Sequence, residues 1–134
     1  MYIRKLEHSD YDEILTKWWK DWRWSVPPRD FLPDDATGGL IIYDEEVPVC
    51  AGFVYMTNSR VGWVEFIVSN IEYKDKENRK LYLSTLVNSL GNILKNAGAK
   101  YTYVSLKNES LIKIYEELGY VKGSKGCLEM IKQL

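Results

Sequence analysis

Apolar and charged residues alternate from Tyr2 to Leu6, the two-residue period of a half-buried strand. The period then lengthens. Tyr11, Ile14, Leu15, Trp18 and Trp19 recur at helical spacing behind Ser9 or Asp10, either of which can cap the helix they predict, and Val26-Pro27-Pro28 ends it. After a polar segment through Pro33, Asp34, Asp35 and Gly38-Gly39, the runs Leu40–Tyr43 and Val47–Thr57 predict a hairpin around Asp44-Glu45-Glu46. Asn58-Ser59-Arg60 turns the chain into Gly62–Val68, which is apolar on both faces, as a central strand is. A charged loop leads to a long helix from about Asn78 to Ala97. Leu81, Leu83, Leu86, Val87, Leu90, Ile93 and Leu94 are expected inside, with a stop at Asn96-Ala97-Gly98. Tyr101–Leu106 is the next strand and Asn108–Leu118 the next helix. Tyr120-Val121 and Leu128–Ile131 are expected to close the chain as a hairpin around Gly123-Ser124-Lys125-Gly126. The order predicts an α+β fold, a mixed and mostly antiparallel sheet flanked by helices. A helical crossover between the Gly62–Val68 and Tyr101–Leu106 strands would set them side by side and parallel.

With 134 residues the chain is read as a single domain, residues 1–134, large enough for one core. A net charge of −1 gives no general attraction to nucleic acid or to a membrane surface. Cys50 and Cys127 stand alone in apolar, strand-like surroundings and lack metal-ligand spacing, and the one histidine, His8, cannot complete a site with them. Both are expected as reduced core thiols in a cytoplasmic protein. No apolar run is long enough to span a bilayer, and Met1-Tyr2-Ile3-Arg4 reads directly into structure rather than into a signal peptide. Four of the five tryptophans crowd into Trp18, Trp19, Trp22 and Trp24.

The segment from Asn108 to Tyr120 carries most of the functional information. Asn108 is a good N-cap, Glu109 places an anion in the first turn, and Leu111, Ile114, Tyr115 and Leu118 make one apolar face. Gly119 is placed to end the helix in a left-handed conformation. A tyrosine on such a face is ordinarily core, its hydroxyl finding a local partner. The same segment resembles the last helix of the GCN5-related N-acetyltransferases, with an Asn, a small or apolar residue three positions on, Tyr seven on, then Glu, and finally Gly and an aromatic. The order of elements along nearly the whole chain resembles that fold too. The resemblance implies an acetyl-coenzyme A-dependent transfer of an acetyl group to a primary amine by direct attack, and a sheet whose two parallel strands splay at one end. It also implies that Tyr115 faces the thioester sulfur as a proton donor and that Asn108 binds the cofactor nearby. Backbone groups of Phe66, Ile67 and Val68 would then pair with the pantetheine arm.

Acetyl transfer needs a base for the amine, because an alkylammonium has a pKa near ~10. Glu65 is the acidic residue inside the central strand, where desolvation can raise its pKa towards a useful value. The alternative is a Glu on the solvent face of an alternating strand. The family's glycine-rich pyrophosphate turn is missing. In its place stands Lys74-Asp75-Lys76-Glu77-Asn78-Arg79-Lys80, with no glycine. Amides at a helix N-terminus still bind phosphate without glycine. Lys74, Lys76, Arg79 and Lys80 put positive charge where the helix dipole disfavours it, a cost that a bound pyrophosphate would reverse. Asn78 falls at the helix start among them. The tryptophan cluster lies where the resemblance places the acceptor, so Trp22, Trp24 and Arg23 are candidate substrate contacts, for stacking on a flat group. Two readings stay open. One is the acetyltransferase acting on a small-molecule or peptide amine. The other is the same fold with its cofactor turn eroded, contacting a protein or nucleic acid through the tryptophan-rich edge. An apolar hairpin edge at the end of the chain allows a homodimer.

Overall fold

The computed structural model describes every residue, Met1–Leu134. Strand β1 (Tyr2–Lys5) leads into helix α1 (8–21), which widens to a π turn over Tyr11–Leu15. Then follow β2 (Gly39–Asp44), β3 (Val47–Met56), β4 (Val61–Ser69), α2 (Lys76–Asn96), β5 (Tyr101–Tyr103) and α3 (Glu109–Glu117). The five strands form one sheet in sequence order, antiparallel throughout except that β5 runs parallel to β4 across the α2 crossover. This is the mixed, mostly antiparallel α+β architecture that the order of apolar periods predicts. No helix is long and apolar enough to cross a membrane.

Each face of the sheet carries its own core. Leu40, Ile42, Val64 and Ile67 face α2 and α3, whose Leu86, Leu90, Leu94, Ile114 and Tyr115 cover them. Ile41, Ala51, Phe53 and Val68 face α1 and pack on Leu15, Trp18 and Trp19. Strand alternation in β2 and β3 sorts residues between these layers. One irregularity matters for function. Ala51 pairs with Val68 but Phe53 pairs with Glu65, so Gly52 alone opposes Phe66 and Ile67. This is a β-bulge, with Phe66 in the left-handed region at φ 56°. Gly52 leaves room beneath it for Ile67, since a Cβ there would lie 2.3 Å from Cδ1 of Ile67 and would displace that methyl group.

β5 pairs with β4 only over Val61–Trp63, after which the two strands part. Tyr115 of α3 stands behind the gap. It is 1% exposed and donates its hydroxyl to the carbonyl of Val64 at 3.1 Å. A double closure of α3 fixes the ring. Gly119 (φ 100°) lets its own N–H reach Glu116 O at 3.0 Å and the N–H of Tyr120 reach Tyr115 O at 3.1 Å. Tyr120 then packs edge-on against Tyr115, with centroids 4.8 Å apart, and its hydroxyl meets that of Thr102 at 2.9 Å.

Several elements depart from the sequence pattern. α1 begins at His8 rather than after Ser9 or Asp10. Glu7 takes the cap position because its N–H donates to the carboxylate of Asp10 at 2.7 Å, and Arg4 pairs with the same carboxylate. α2 begins at Lys76, capped by Asp75, two residues before Asn78. Leu81 is 57% exposed and Ile93 39%, while Tyr82 is buried, so the apolar stripe of α2 is narrower than its leucine content implies. β5 ends at Tyr103 instead of Leu106, because the strand leaves β4 there. No closing hairpin forms. Val121, Leu128, Met130 and Ile131 lie exposed in a segment without strand pairing, and Cys127 is exposed with them, whereas Cys50 is fully buried.

Two stability predictions follow from this packing. Tyr115→Phe keeps the ring but leaves the Val64 carbonyl without its donor, so urea unfolding should show a loss of about 1–3 kcal/mol. Gly52→Ala should cost about as much through displacement of Ile67 beneath the bulge, visible as a lowered Tm.

Candidate functional site

Where β4 and β5 part, a cavity of about 470 Å³ opens between the sheet edge and the helices. Its floor is the end of β4, Ile67, Val68 and Ser69. One wall is the first turn of α2, with Lys76, Arg79 and Lys80, and the facing wall is the start of α3, with Asn108, Ser110 and Lys113. Trp22 and Trp24 close the third side. Both helices begin here because each has a side-chain cap. Asp75 accepts from Asn78 N at 3.1 Å, and Asn108 accepts from Leu111 N at 3.1 Å. Two helix N-termini and four cationic side chains therefore converge on one concavity, an arrangement with affinity for an anion.

Arg79 has a second duty. Its Nη2 donates to the carbonyl of Asn70 at 3.2 Å and of Ile71 at 3.4 Å, and also to that of Tyr73. It thus ties down the loop from β4 to α2. Its Nε is buried and has no hydrogen-bond partner in the protein. The expected cationic helix start is therefore present, but only Lys76, Arg79 and Lys80 of the four named cations reach the cavity. Lys74 turns away towards the carbonyl of Ile71, and Asn78 spends its side chain on the Asp75 carboxylate at 2.9 Å. Lys113 was not singled out from sequence. It follows Asn108 by five residues and lines the cavity from α3.

The tryptophans divide by depth. Trp18 and Trp19 are core. Trp22 donates its indole N–H to Ser69 O at 2.7 Å and stacks on Trp24, with centroids 5.6 Å apart. Arg23 between them is exposed, holds φ 60°, and does not line the cavity.

Glu65 and Tyr115 lie further along the parting of the strands, outside the cavity lining. Glu65 accepts from the N–H of Ser105 at 3.1 Å, bridging the gap beyond the end of β5. It is half-buried, and desolvation raises its pKa above the ordinary carboxylate value. Hydrogen bonds from the Ser105 and Phe66 amides oppose that rise, and the Glu129 charge adds to it. Burial, together with the nearby Tyr120 and Glu65, pushes the Tyr115 phenol far above its usual range. Its proton rests on Val64 O, so it is not aimed at the cavity. The ring of Phe66 meets Phe31 and Tyr55 on the α1 side of the sheet, leaving Ile67, Val68 and Ser69 as the strand segment at the cavity floor.

No protein-family model and no curated protein matches the sequence. Among solved structures, the chain is similar to glucosamine-6-phosphate N-acetyltransferase from Arabidopsis thaliana. That match has a TM-score of 0.64 at 19% identity, over 98% of this chain and 97% of that one. An aminoglycoside acetyltransferase from an uncultured soil metagenomic sample, solved with sisomicin, gives 0.68 at 9% identity, over 99% and 95% of the two chains. A transcriptional regulator from Bacillus halodurans C-125 gives 0.69 at 13% identity, over 97% and 99%. Identities this low speak for architecture and not for chemistry. The chain has the fold of the GCN5-related N-acetyltransferases.

Proposed function

We propose that this chain is an N-acetyltransferase that uses acetyl-coenzyme A and acetylates a primary amine. The observation that carries the reading is the cationic cavity at the parting of β4 and β5. Lys76, Arg79, Lys80 and Lys113 suit a pyrophosphate, and the buried Nε of Arg79 is a donor without an acceptor in the protein. The uncovered strand edge at Ile67–Ser69 suits the amides of a pantetheine arm. When bound, acetyl-coenzyme A supplies an activated thioester carbonyl. Glu65 serves as the base: its carboxylate takes the proton of the incoming ammonium and frees the nitrogen lone pair. Its raised pKa makes it a better match to that task than a solvated glutamate. Tyr115 acts as a positioning residue that holds Val64 and keeps the strands apart. The reading agrees with the fold, which the chain shares with glucosamine-6-phosphate N-acetyltransferase and an aminoglycoside acetyltransferase.

A second reading has its own observation. The Asp75 carboxylate occupies the Asn78 amide at the start of α2 and adds a negative charge where a pyrophosphate would bind. If that cap has displaced the cofactor, the fold serves as a binding module. Titration calorimetry with coenzyme A separates the two. Under the enzyme reading binding is measurable at low salt and weakens as salt screens exposed charges over ~8–10 Å. Lys113→Ala then costs on the order of 1 kcal/mol. Asp75→Asn keeps the cap, removes the charge and should tighten binding. Absence of binding at low salt in both the parent and Asp75→Asn would overturn the enzyme reading.

Glu65→Gln tests the base. It retains an acceptor for Ser105 N–H, so turnover should fall about 10²–10⁴-fold while coenzyme A affinity stays unchanged. The pH dependence has a definite sign. Glu65 holds its proton more tightly in the folded chain, among Tyr55 of β3, Tyr115 of α3, the Ser105 and Phe66 amides and Glu129 of the C-terminal segment. That contribution to stability is fully present below the unfolded value of about 4.3 and is lost as pH climbs through the raised one. Relative to the parent, Glu65→Gln should therefore gain stability with rising pH across that window and none below it, as read by urea unfolding at a series of pH values. The acid limb of kcat/KM should lie above that of an ordinary glutamate.

A further inference from the structure

Glu65 faces the α1 side of the sheet, because its cross-strand partner Phe53 is buried in that layer. Beyond the reach of α1 this face is walled by aromatic rings. Tyr55 lies two residues past Phe53, and its partner across the strands is Trp63, whose partner in turn is Tyr103. The Trp63 and Tyr103 rings lie 4.4 Å apart. The bulge keeps Phe66 on this face beside Glu65, with its ring 5.9 Å from Phe31 and 6.3 Å from Tyr55. Tyr55 fixes the wall by donating its hydroxyl to Phe31 O at 2.9 Å. None of the six ion pairs of the protein includes Glu65, so a half-buried carboxylate stands among five rings with no cation of its own.

We propose that this surface binds the acceptor and that the acceptor is an arylalkylamine, an ammonium group joined by a short linker to a flat apolar body. The ammonium takes Glu65 as its counter-ion and the ring faces as cation–π partners, while the apolar body covers Phe31 and Phe66. A phosphorylated amino sugar would bring its phosphate beside the Glu65 and Glu129 carboxylates, and a polyamine would leave the rings uncovered. The left-handed backbone of Phe66 fits the same role, since strain of this kind persists where it places a side chain for function. The inference deepens the acetyltransferase reading by naming the substrate class of that site.

The test is titration calorimetry of the full chain with 2-phenylethylamine, spermidine and glucosamine 6-phosphate, each without acetyl-coenzyme A. The expected result is that 2-phenylethylamine binds about tenfold tighter than either of the others, with Phe31→Ala, Phe31→Leu and Glu65→Gln each weakening it by about tenfold. Phe31→Leu keeps an apolar side chain and removes only the ring, and Phe31 is 43% exposed, so neither replacement opens the core. Equal or tighter binding of spermidine or of glucosamine 6-phosphate would overturn the proposal. So would binding of 2-phenylethylamine that ignores all three substitutions. A protein that binds 2-phenylethylamine in this pattern but never acetylates it would refute the transferase reading and leave this one standing. One that acetylates spermidine and does not bind 2-phenylethylamine would do the reverse.

Discussion

The early parting of β4 and β5 is the constraint from which the site is built. A parallel pair that stops after three residues strands backbone donors and acceptors in the interior, where each would cost free energy if left unmade. Side chains answer most of them. Tyr115 serves the Val64 carbonyl, Glu65 the Ser105 amide, Trp22 the Ser69 carbonyl and Arg79 the carbonyls of the following loop. The strand edge left between these anchors is where the cavity opens. The residues that first suggest chemistry are thus also the ones that keep the gap from closing.

This double use explains why structural and catalytic roles are hard to part here. Tyr115 has the place in α3 that the acetyltransferase resemblance assigns to a proton donor. Yet it is buried, its hydroxyl is committed to a strand carbonyl, and its phenol holds its proton more tightly than usual. Glu65 differs. The amides of Ser105 and Phe66 face its carboxylate, no cation pairs with it, and it keeps partial access to solvent, which leaves it free to take a proton. Charge divides along the same gap. The cavity end is cationic, through side chains of α2 and α3, and the bulge end is acidic and aromatic.

The helix starts show how the glycine-free turn manages without glycine. Asp75 caps α2 through its side chain and offsets the lysines around it, while Arg79 folds back to hold the loop that a tight glycine turn would otherwise shape. The capping carboxylate takes the Asn78 amide, a donor that an anion at this helix start would otherwise use. Under the proposed function, Asp75 is therefore the residue on which cofactor binding turns.

Local patterns in the sequence determined most elements of the fold: two-residue alternation for β1, apolar runs on either side of a polar turn for β2 and β3, the apolar stripe of α2, and the cap and glycine stop that bound α3. These depend on neighbours a few residues apart, so a linear reading reaches them. The candidate site was legible in part, through Asn108, Lys76, Arg79, Lys80, Trp22 and Trp24, because helix-terminal chemistry is also local. Tertiary structure alone decided the rest. The bulge at Phe66 arises from a register mismatch with Gly52 of another strand, and the acidic aromatic wall exists only because that bulge keeps Phe66 beside Glu65. The inward turn of Lys113, the outward turn of Lys74 and the unpaired C-terminal segment likewise depend on where β5 leaves β4 and how α3 docks. Periodicity records which face of an element is apolar, but register and strand separation are relations between segments far apart in the chain.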